Sequence, residues 1–215
     1  MNDREHMQTM VSRLAHEIRN PLATIKSGIQ LFLRFTSEPE DLTKYLVDAV
    51  VATDRIDAAI VRMRLLLSLV PRTSSIFPVS RLMDSLERQF PEEPRLSFPT
   101  NDDHRAPKVF VNFDQIMLAL TELVTNALLY SSDTVEVSWA AEGQRTVALH
   151  VRDRGPGPPK EIETRLFEPF VAGPHRGIGL GLAIVARVCE LNEARATVGA
   201  REGGGSELTI SLPRV

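Results

Sequence analysis

His16 is the side chain with the plainest chemical use, and it sits in Leu14-Ala15-His16-Glu17-Ile18-Arg19-Asn20-Pro21-Leu22. An unperturbed imidazole is largely neutral at pH 7 and nucleophilic at nitrogen. Glu17, its neighbour, is a carboxylate able to accept the imidazole proton or to hold the ring tautomer. Asn20 lies one helical turn further along the same side. Four later patches carry further chemistry. Glu122 and Asn126, at i and i+4 of one helix, offer oxygen ligands to a hard cation such as magnesium, which takes few protein groups and completes its shell with phosphate. Asp153-Arg154-Gly155-Pro156-Gly157 puts a carboxylate at a strand end among residues that permit unusual backbone angles, where it could accept from an exocyclic amine such as that of adenine. Gly177-Ile178-Gly179-Leu180-Gly181-Leu182 leads into a helix whose first N–H groups are open to phosphate. Gly203-Gly204-Gly205-Ser206 reads as a hairpin turn. The dinucleotide fingerprint and the Gly-Lys-Ser/Thr phosphate loop are both missing, so neither of those nucleotide folds is expected.

The elements that must position these groups fall into two regions. Leu14, Ile18, Leu22, Ile25, Ile29 and Phe32 lie within about 80° of helical arc, which predicts a core-facing stripe with His16 and Asn20 on roughly the opposite side. Pro21 predicts a bend just after Asn20. After the breaker Ser37–Asp41, the residues Leu42, Leu46, Ala49, Thr53, Ile56, Ile60, Met63 and Leu67 alternate by four and three, the seam of a long second helix in a bundle. A helical hairpin alone leaves such a seam bare, so a homodimer built on a four-helix bundle is expected. Turn residues from Pro71 to Ser75 end the pattern. The division is therefore a helical hairpin over 1–70, a linker over 71–76 and a mixed domain over 77–215.

Within the mixed domain, Ile76–Val79, Arg95–Phe98 and Lys108–Val111 read as short strands and Ser80–Phe90 as a helix. Asn112 with Gln115 forms a capping signal for a helix running to about Tyr130. Val135–Trp139 with Thr146–Val151 predicts one hairpin and Ala196–Arg201 with Glu207–Leu212 another, with a helix over Ile178–Glu190 between them. The expected class is an all-α hairpin followed by an α+β sandwich with one sheet covered on one face.

Composition sets the bounds. With 215 residues, 43% apolar and 25% charged, the chain is that of a soluble globular protein of one large or two small domains. A net charge of −3 leaves no basic footprint for nucleic acid. No apolar run reaches the length of a membrane span and the N-terminus lacks a signal layout, so a cytoplasmic protein with no membrane segment is expected. The lone Cys189 permits neither an internal disulfide nor a cysteine zinc site.

The order of these patches resembles the sensor histidine kinases of two-component signalling. The His16 stretch is similar to the phosphoacceptor box, with wording nearest the nitrogen-regulation type, and Glu122-Leu123-Val124-Thr125-Asn126-Ala127 resembles the asparagine box. Asp153–Gly157 resembles the first glycine box, Leu166-Phe167-Glu168-Pro169-Phe170 the phenylalanine box, and Gly177–Leu182 the second glycine box. The resemblance implies a phosphoacceptor hairpin followed by an ATP-binding domain of the gyrase, Hsp90, histidine kinase and MutL type. It implies that His16 attacks the γ-phosphate of ATP with Glu17 as base, and that Asn20 positions water for dephosphorylating a response regulator receiver domain. It further implies that Asn126, assisted by Glu122, holds Mg2+, that Asp153 reads adenine, and that Gly155, Gly157, Gly177, Gly179 and Gly181 shape the pocket and its lid over Phe167 and Phe170. Tyr130, Leu180, Leu182 and Ser206 complete the implied nucleotide set.

Three features depart from the family pattern. Leu129 stands where a basic residue usually precedes Tyr130, leaving Arg176, Arg154 or Lys160 as the phosphate contact; Glu122 replaces the commoner asparagine; and the lid from Pro158 to Arg176 is short. The brief stretch before the His16 helix predicts no sensor domain in this chain. A phosphotransfer adaptor with a degenerate ATP domain is the alternative reading, and a gyrase-type ATP switch using Glu122 as base is a third.

Overall fold

The computed structural model describes residue 15 and residues 18–30, 39–98, 106–172 and 177–215, with only the helical backbone described over 39–46. Leu14, His16, Glu17, Phe32, the 37–38 part of the breaker and Arg176 lie outside the described residues, as do the side chains of Leu42 and Leu46. The chain divides into two compact units, one comprising the residues up to Leu67 with Pro169–Leu180, the other Ser68–Glu168 with Gly181–Val215.

In the first unit, helix α1 covers residues 18–30 and runs unbroken through Pro21. The Thr24 hydroxyl donates to the Asn20 carbonyl at 3.3 Å. Helix α2 spans Pro39–Ser68. Its buried line is Ala52, Ala59, Met63 and Leu66, with Ile56 half-buried. Of the expected seam, Met63 is buried and Ile56 half-buried, whereas Thr53, Ile60 and Leu67 are exposed in the single chain, where burial falls one residue earlier at each of these positions. Alanines at 52 and 59 admit close backbone approach, which the bulkier Ile60 does not. On α1, Ile18 and Ile25 of the expected stripe are half-buried, while Leu22 and Ile29 are each 51% exposed in the single chain. Together with Val47, Val50, Val51, Ile60, Val61 and Leu67 they leave this helical unit with many uncovered apolar side chains.

The second unit contains strand β1 (Ser75–Pro78), helix α3 (Ser80–Gln89), strands β2 (Leu96–Ser97) and β3 (Lys108–Val111), helix α4 (Phe113–Tyr130), strands β4 (Val135–Glu142) and β5 (Thr146–Arg152), helix α5 (Gly181–Leu191) and strands β6 (Arg195–Ala200) and β7 (Ser206–Pro213). Among the described residues a 3-10 turn lies at Glu163–Arg165. Instead of the one sheet expected, the described residues form two. β1 and β3 form a two-stranded antiparallel ribbon, and the main sheet has five strands in the order β2-β4-β5-β7-β6. Only β2 and β4 run parallel. The ribbon separates because β1 finds its partner across α3, a non-local pairing that strand periodicity does not encode.

Alternation in the main sheet sorts its faces. Val137, Val151 and Leu208 lie in cross-strand register, as do Leu149 and Ile210, and all are buried on the face against α4 and α5. Each such side chain fully removed from water contributes roughly 2 kcal/mol. The opposite face carries Glu136, Ser138, His150, Arg152, Glu207 and Thr209. There His150 Nδ1 lies 2.7 Å and Arg152 Nη2 3.0 Å from Glu207 Oε1. Burial pushes the Glu207 carboxyl up, but Arg152 and His150 outweigh it and hold the group below its usual range.

A buried amide network ties the segment leaving α2 to the helices of this unit. Asn112 caps α4 by accepting from the Gln115 N–H at 3.0 Å, as the capping signal predicts. The Gln115 side chain does not return to the cap: its Nε2 donates to the Val70 carbonyl at 2.8 Å. Asn192, just past α5, donates to Gln115 Oε1 at 2.9 Å and accepts from the Asn112 N–H at 2.7 Å. Asn192→Ala strands both of those partners in the core, at a cost of about 3 kcal/mol. The expected result is a lower urea midpoint with an unchanged m-value.

Candidate nucleotide site

Helix α4 presents Glu122, Asn126 and Tyr130 at successive i, i+4 positions, all half-buried. Among the described residues no group of three or more His, Cys, Asp or Glu forms a metal cluster. Burial raises the Tyr130 phenol above its ordinary value.

At the end of β5, Asp153 is 4% exposed. Its Oδ1 accepts from the Gly155 N–H at 2.7 Å, and its own N–H donates to the Ser206 carbonyl at 3.0 Å. Burial pushes the carboxyl upward, while hydrogen bonds from the Gly155 and Ser206 backbones and the charge of Arg201 pull part of the way back. Gly155 has no room for a side chain, since a Cβ would stand 2.7 Å from the Tyr130 carbonyl and 3.0 Å from Asp153 Oδ1. A Cβ on Gly157 would meet Ser206 Oγ at 3.7 Å. The fold thus brings Tyr130, Asp153, Gly155, Gly157 and Ser206 together, from places far apart in the chain. Such a buried carboxylate beside a glycine cradle is suited to accept a hydrogen bond from a heterocyclic amine.

Helix α5 begins at Gly181, with Leu182 following, and not at Ile178 as the apolar periodicity suggested. Gly177 and Gly179 hold φ of +101° and +70°, outside helical geometry. A Cβ on Gly179 would stand 2.6 Å from the Val171 carbonyl, and Phe170 N–H donates to the Gly179 carbonyl at 2.8 Å. Phe170, Gly177, Gly179 and Leu180 belong to the first unit, as does the exposed Asn20, whereas Phe167 belongs to the second.

Gly205 escaped the sequence reading, which took it for part of a turn. Its φ is +106° and a Cβ there would collide with the Asp153 carbonyl. The signal was present in the run of glycines directly before Ser206, longer than a tight hairpin requires. Gly205→Ala is expected to displace the Asp153 strand end and to lower the melting temperature by roughly 5 °C or more, read by calorimetry. Of the basic residues left open as phosphate contacts, Arg154 is engaged elsewhere, its Nη1 donating to the Glu202 and Gly204 carbonyls at 2.9 Å each. Lys160 is exposed in the loop after the first glycine box.

Residues 112–215 match the family described as Histidine kinase-, DNA gyrase B-, and HSP90-like ATPase. Residues 6–69 match the His Kinase A (phospho-acceptor) domain. The chain is similar to the sensory histidine kinase/phosphatase NtrB of Rhizobium meliloti, 29% identical over 83% of this chain and 51% of that protein. It is also similar to NtrB of Vibrio alginolyticus, 26% identical over 95% of this chain and 61% of that one. It therefore spans between half and two thirds of the length of these relatives. Among solved structures, the histidine kinase ThkA in complex with the response regulator TrrA aligns over 99% of this chain and 64% of that one, with TM-score 0.74 and 22% identity. No helix among the described residues is long and apolar enough to cross a membrane.

Proposed function

Since the chain belongs to the sensor histidine kinases of two-component signalling, with a phosphoacceptor region ahead of its ATPase domain, we propose that it is an ATP-dependent protein-histidine kinase. In this reading residues 1–70 are the dimerising phosphoacceptor hairpin, 71–76 the linker and 77–215 the catalytic domain. A His16 ring nitrogen attacks the γ-phosphorus of ATP, the bond to the β,γ-bridging oxygen breaks, ADP leaves, and the imidazole proton passes to Glu17. Asp153 accepts from the adenine amine, while Gly181 and Leu182 at the start of α5 offer N–H groups to phosphate. Gly155 and Gly157, with Tyr130 and Ser206, wall the adenine end. Gly177, Gly179, Leu180, Phe167 and Phe170 belong to the lid and its footing. Asn126 and Glu122 would hold Mg2+, which would supply neutralisation of the phosphate charge.

The phosphoryl group then moves to an aspartate of a response regulator receiver domain, and Asn20 orients water for the reverse, dephosphorylating reaction. The uncovered apolar residues of α1 and α2 support a homodimer, because a monomer rarely leaves so much apolar surface bare. The carrying observation is the buried Asp153 cradle in the same chain as the His16 box.

Incubation with γ-labelled ATP and magnesium tests the reading. It is supported by acid-labile, base-stable label on the chain that chases onto a receiver domain. Nucleotide binding without label would instead support the ATP switch. Neither binding nor label would leave the phosphotransfer adaptor with a degenerate ATP domain.

A further inference from the structure

Arg154 follows the carboxylate assigned to adenine, and it joins separate segments of the catalytic unit. Its backbone N–H donates to Ser131 Oγ at 3.3 Å, at the end of α4. Its Nη1 donates to the Glu202 and Gly204 carbonyls at 2.9 Å each, in the turn between β6 and β7. Gly203, Gly204 and Gly205 make that turn at φ of +77°, +97° and +106°. Consecutive glycines have no stiffness of their own, so contacts have to hold the turn in place. Backbone bonds also run within it, from the Gly204 N–H to the Arg201 carbonyl at 3.1 Å and from the Arg201 N–H to the Gly205 carbonyl at 3.0 Å, and the Arg201 guanidinium pairs with Glu136 at 2.7 Å at its start.

The turn is pressed against the adenine carboxylate. Gly205 abuts the Asp153 carbonyl so closely that no side chain fits. The next residue, Ser206, accepts at its carbonyl from the Asp153 N–H at 3.0 Å. Whatever fixes the glycine turn therefore fixes two of the contacts that aim Asp153. A guanidinium bridging two carbonyls does this with charge-assisted bonds and a rigid fork.

We propose that Arg154 is a positioning residue that latches the Arg201–Gly205 turn onto Asp153 and thereby sets discrimination for the 6-amino group of the purine. It acts through Asp153, without contacting the nucleotide, and so deepens the ATP-binding reading on which it rests. The geometry also explains why a long basic side chain stands between the aspartate and the first glycine of this box.

The test uses the whole chain and two nucleotides, ADP and purine riboside 5′-diphosphate, which lacks only the 6-amino group. Dissociation constants for both are measured on the wild type and on Arg154→Met, with the melting temperature recorded alongside. The latch predicts that Arg154→Met loses roughly tenfold of the wild-type preference for ADP while the analogue's affinity stays within about twofold. A parallel loss for both nucleotides would make Arg154 a phosphate contact or a general scaffold residue and overturn the proposal, as would an unchanged ratio. Should Arg154→Met fail to fold, Arg154→Lys supplies the same comparison, with a smaller loss of preference expected and an unchanged ratio again overturning the latch. If the wild type binds neither nucleotide, the ATP-binding reading itself fails and the latch goes with it. If the wild type binds ADP and the ratio does not move, only the latch fails.

Discussion

The His16→Gln protein is expected to bind adenine nucleotide as the wild type does and to take up no acid-labile phosphate, a loss of at least about a thousandfold in labelling. Glutamine keeps the size and polarity of the side chain but has no ring nitrogen with an available lone pair. Phosphoryl transfer depends mainly on positioning and charge neutralisation, so removing the acceptor atom leaves the nucleotide site intact and the reaction without a nucleophile. Glu17→Gln is expected to be milder, slowing labelling by roughly 100-fold, the usual scale for a lost general base. Filter binding of labelled chain, beside a nucleotide titration, separates these two defects. ATP hydrolysis that persists at wild-type rate in His16→Gln would point to water as the acceptor and Glu122 as its base, the gyrase-type reading.

Much of the catalytic unit was legible because its elements follow local rules. Val135–Trp139 and Thr146–Val151 emerged from period-two alternation, within strands that run on to Glu142 and Arg152, and Asn112 stood out as a cap because a short polar side chain can satisfy the Gln115 N–H. The misplaced features share a different cause. On α2, apolar residues occupy more than one side of the helix, Val47, Val50, Val51 and Val61 among them, so spacing alone could not choose which line is buried. The start of α5 was set too early because Ile178 continues the apolar period, whereas Gly177 and Gly179 adopt backbone angles that no periodicity reveals. Pairing of β1 with β3, and the approach of Gly205 to Asp153, are tertiary events between segments distant in sequence.

The site residues divide the same way. Asp153 and its glycines were readable as chemistry, since a carboxylate followed by residues free of Cβ already suggests a cradle. That Tyr130 contributes its carbonyl to the same corner, and that Arg154 is spent on the glycine turn, follows only from how α4 and the β6–β7 turn pack around the end of β5. The Gln115–Asn192 network was equally hidden, because an amide in the middle of an apolar pattern looks like a solvated position until its partners are known.

Asp153→Asn is expected to weaken ADP binding by roughly 100-fold while the protein stays folded. The wild-type carboxylate presents oxygen on both sides, and it receives the backbone N–H of Gly155. An amide has one oxygen, so its NH2 must face either a backbone N–H or the purine amine, donor against donor. The pH dependence carries the same signature. Burial holds the Asp153 carboxyl above its ordinary value, so a proton leaves it at higher pH in the folded protein than in the unfolded chain. Between the ordinary carboxylate range and that raised value the native state binds more protons. Its stability without nucleotide therefore declines as pH rises through the window. Nucleotide affinity runs the opposite way, because only the ionised carboxylate is acceptor on both oxygens: ADP binding strengthens as pH rises through the same window and fades as pH falls. Calorimetric titrations across mildly acidic pH, paired with urea melts of the nucleotide-free protein, should show both trends in the wild type, and this contribution to each should vanish in Asp153→Asn. Opposed slopes that persist in the variant would assign them to another group and remove Asp153 from the adenine contact.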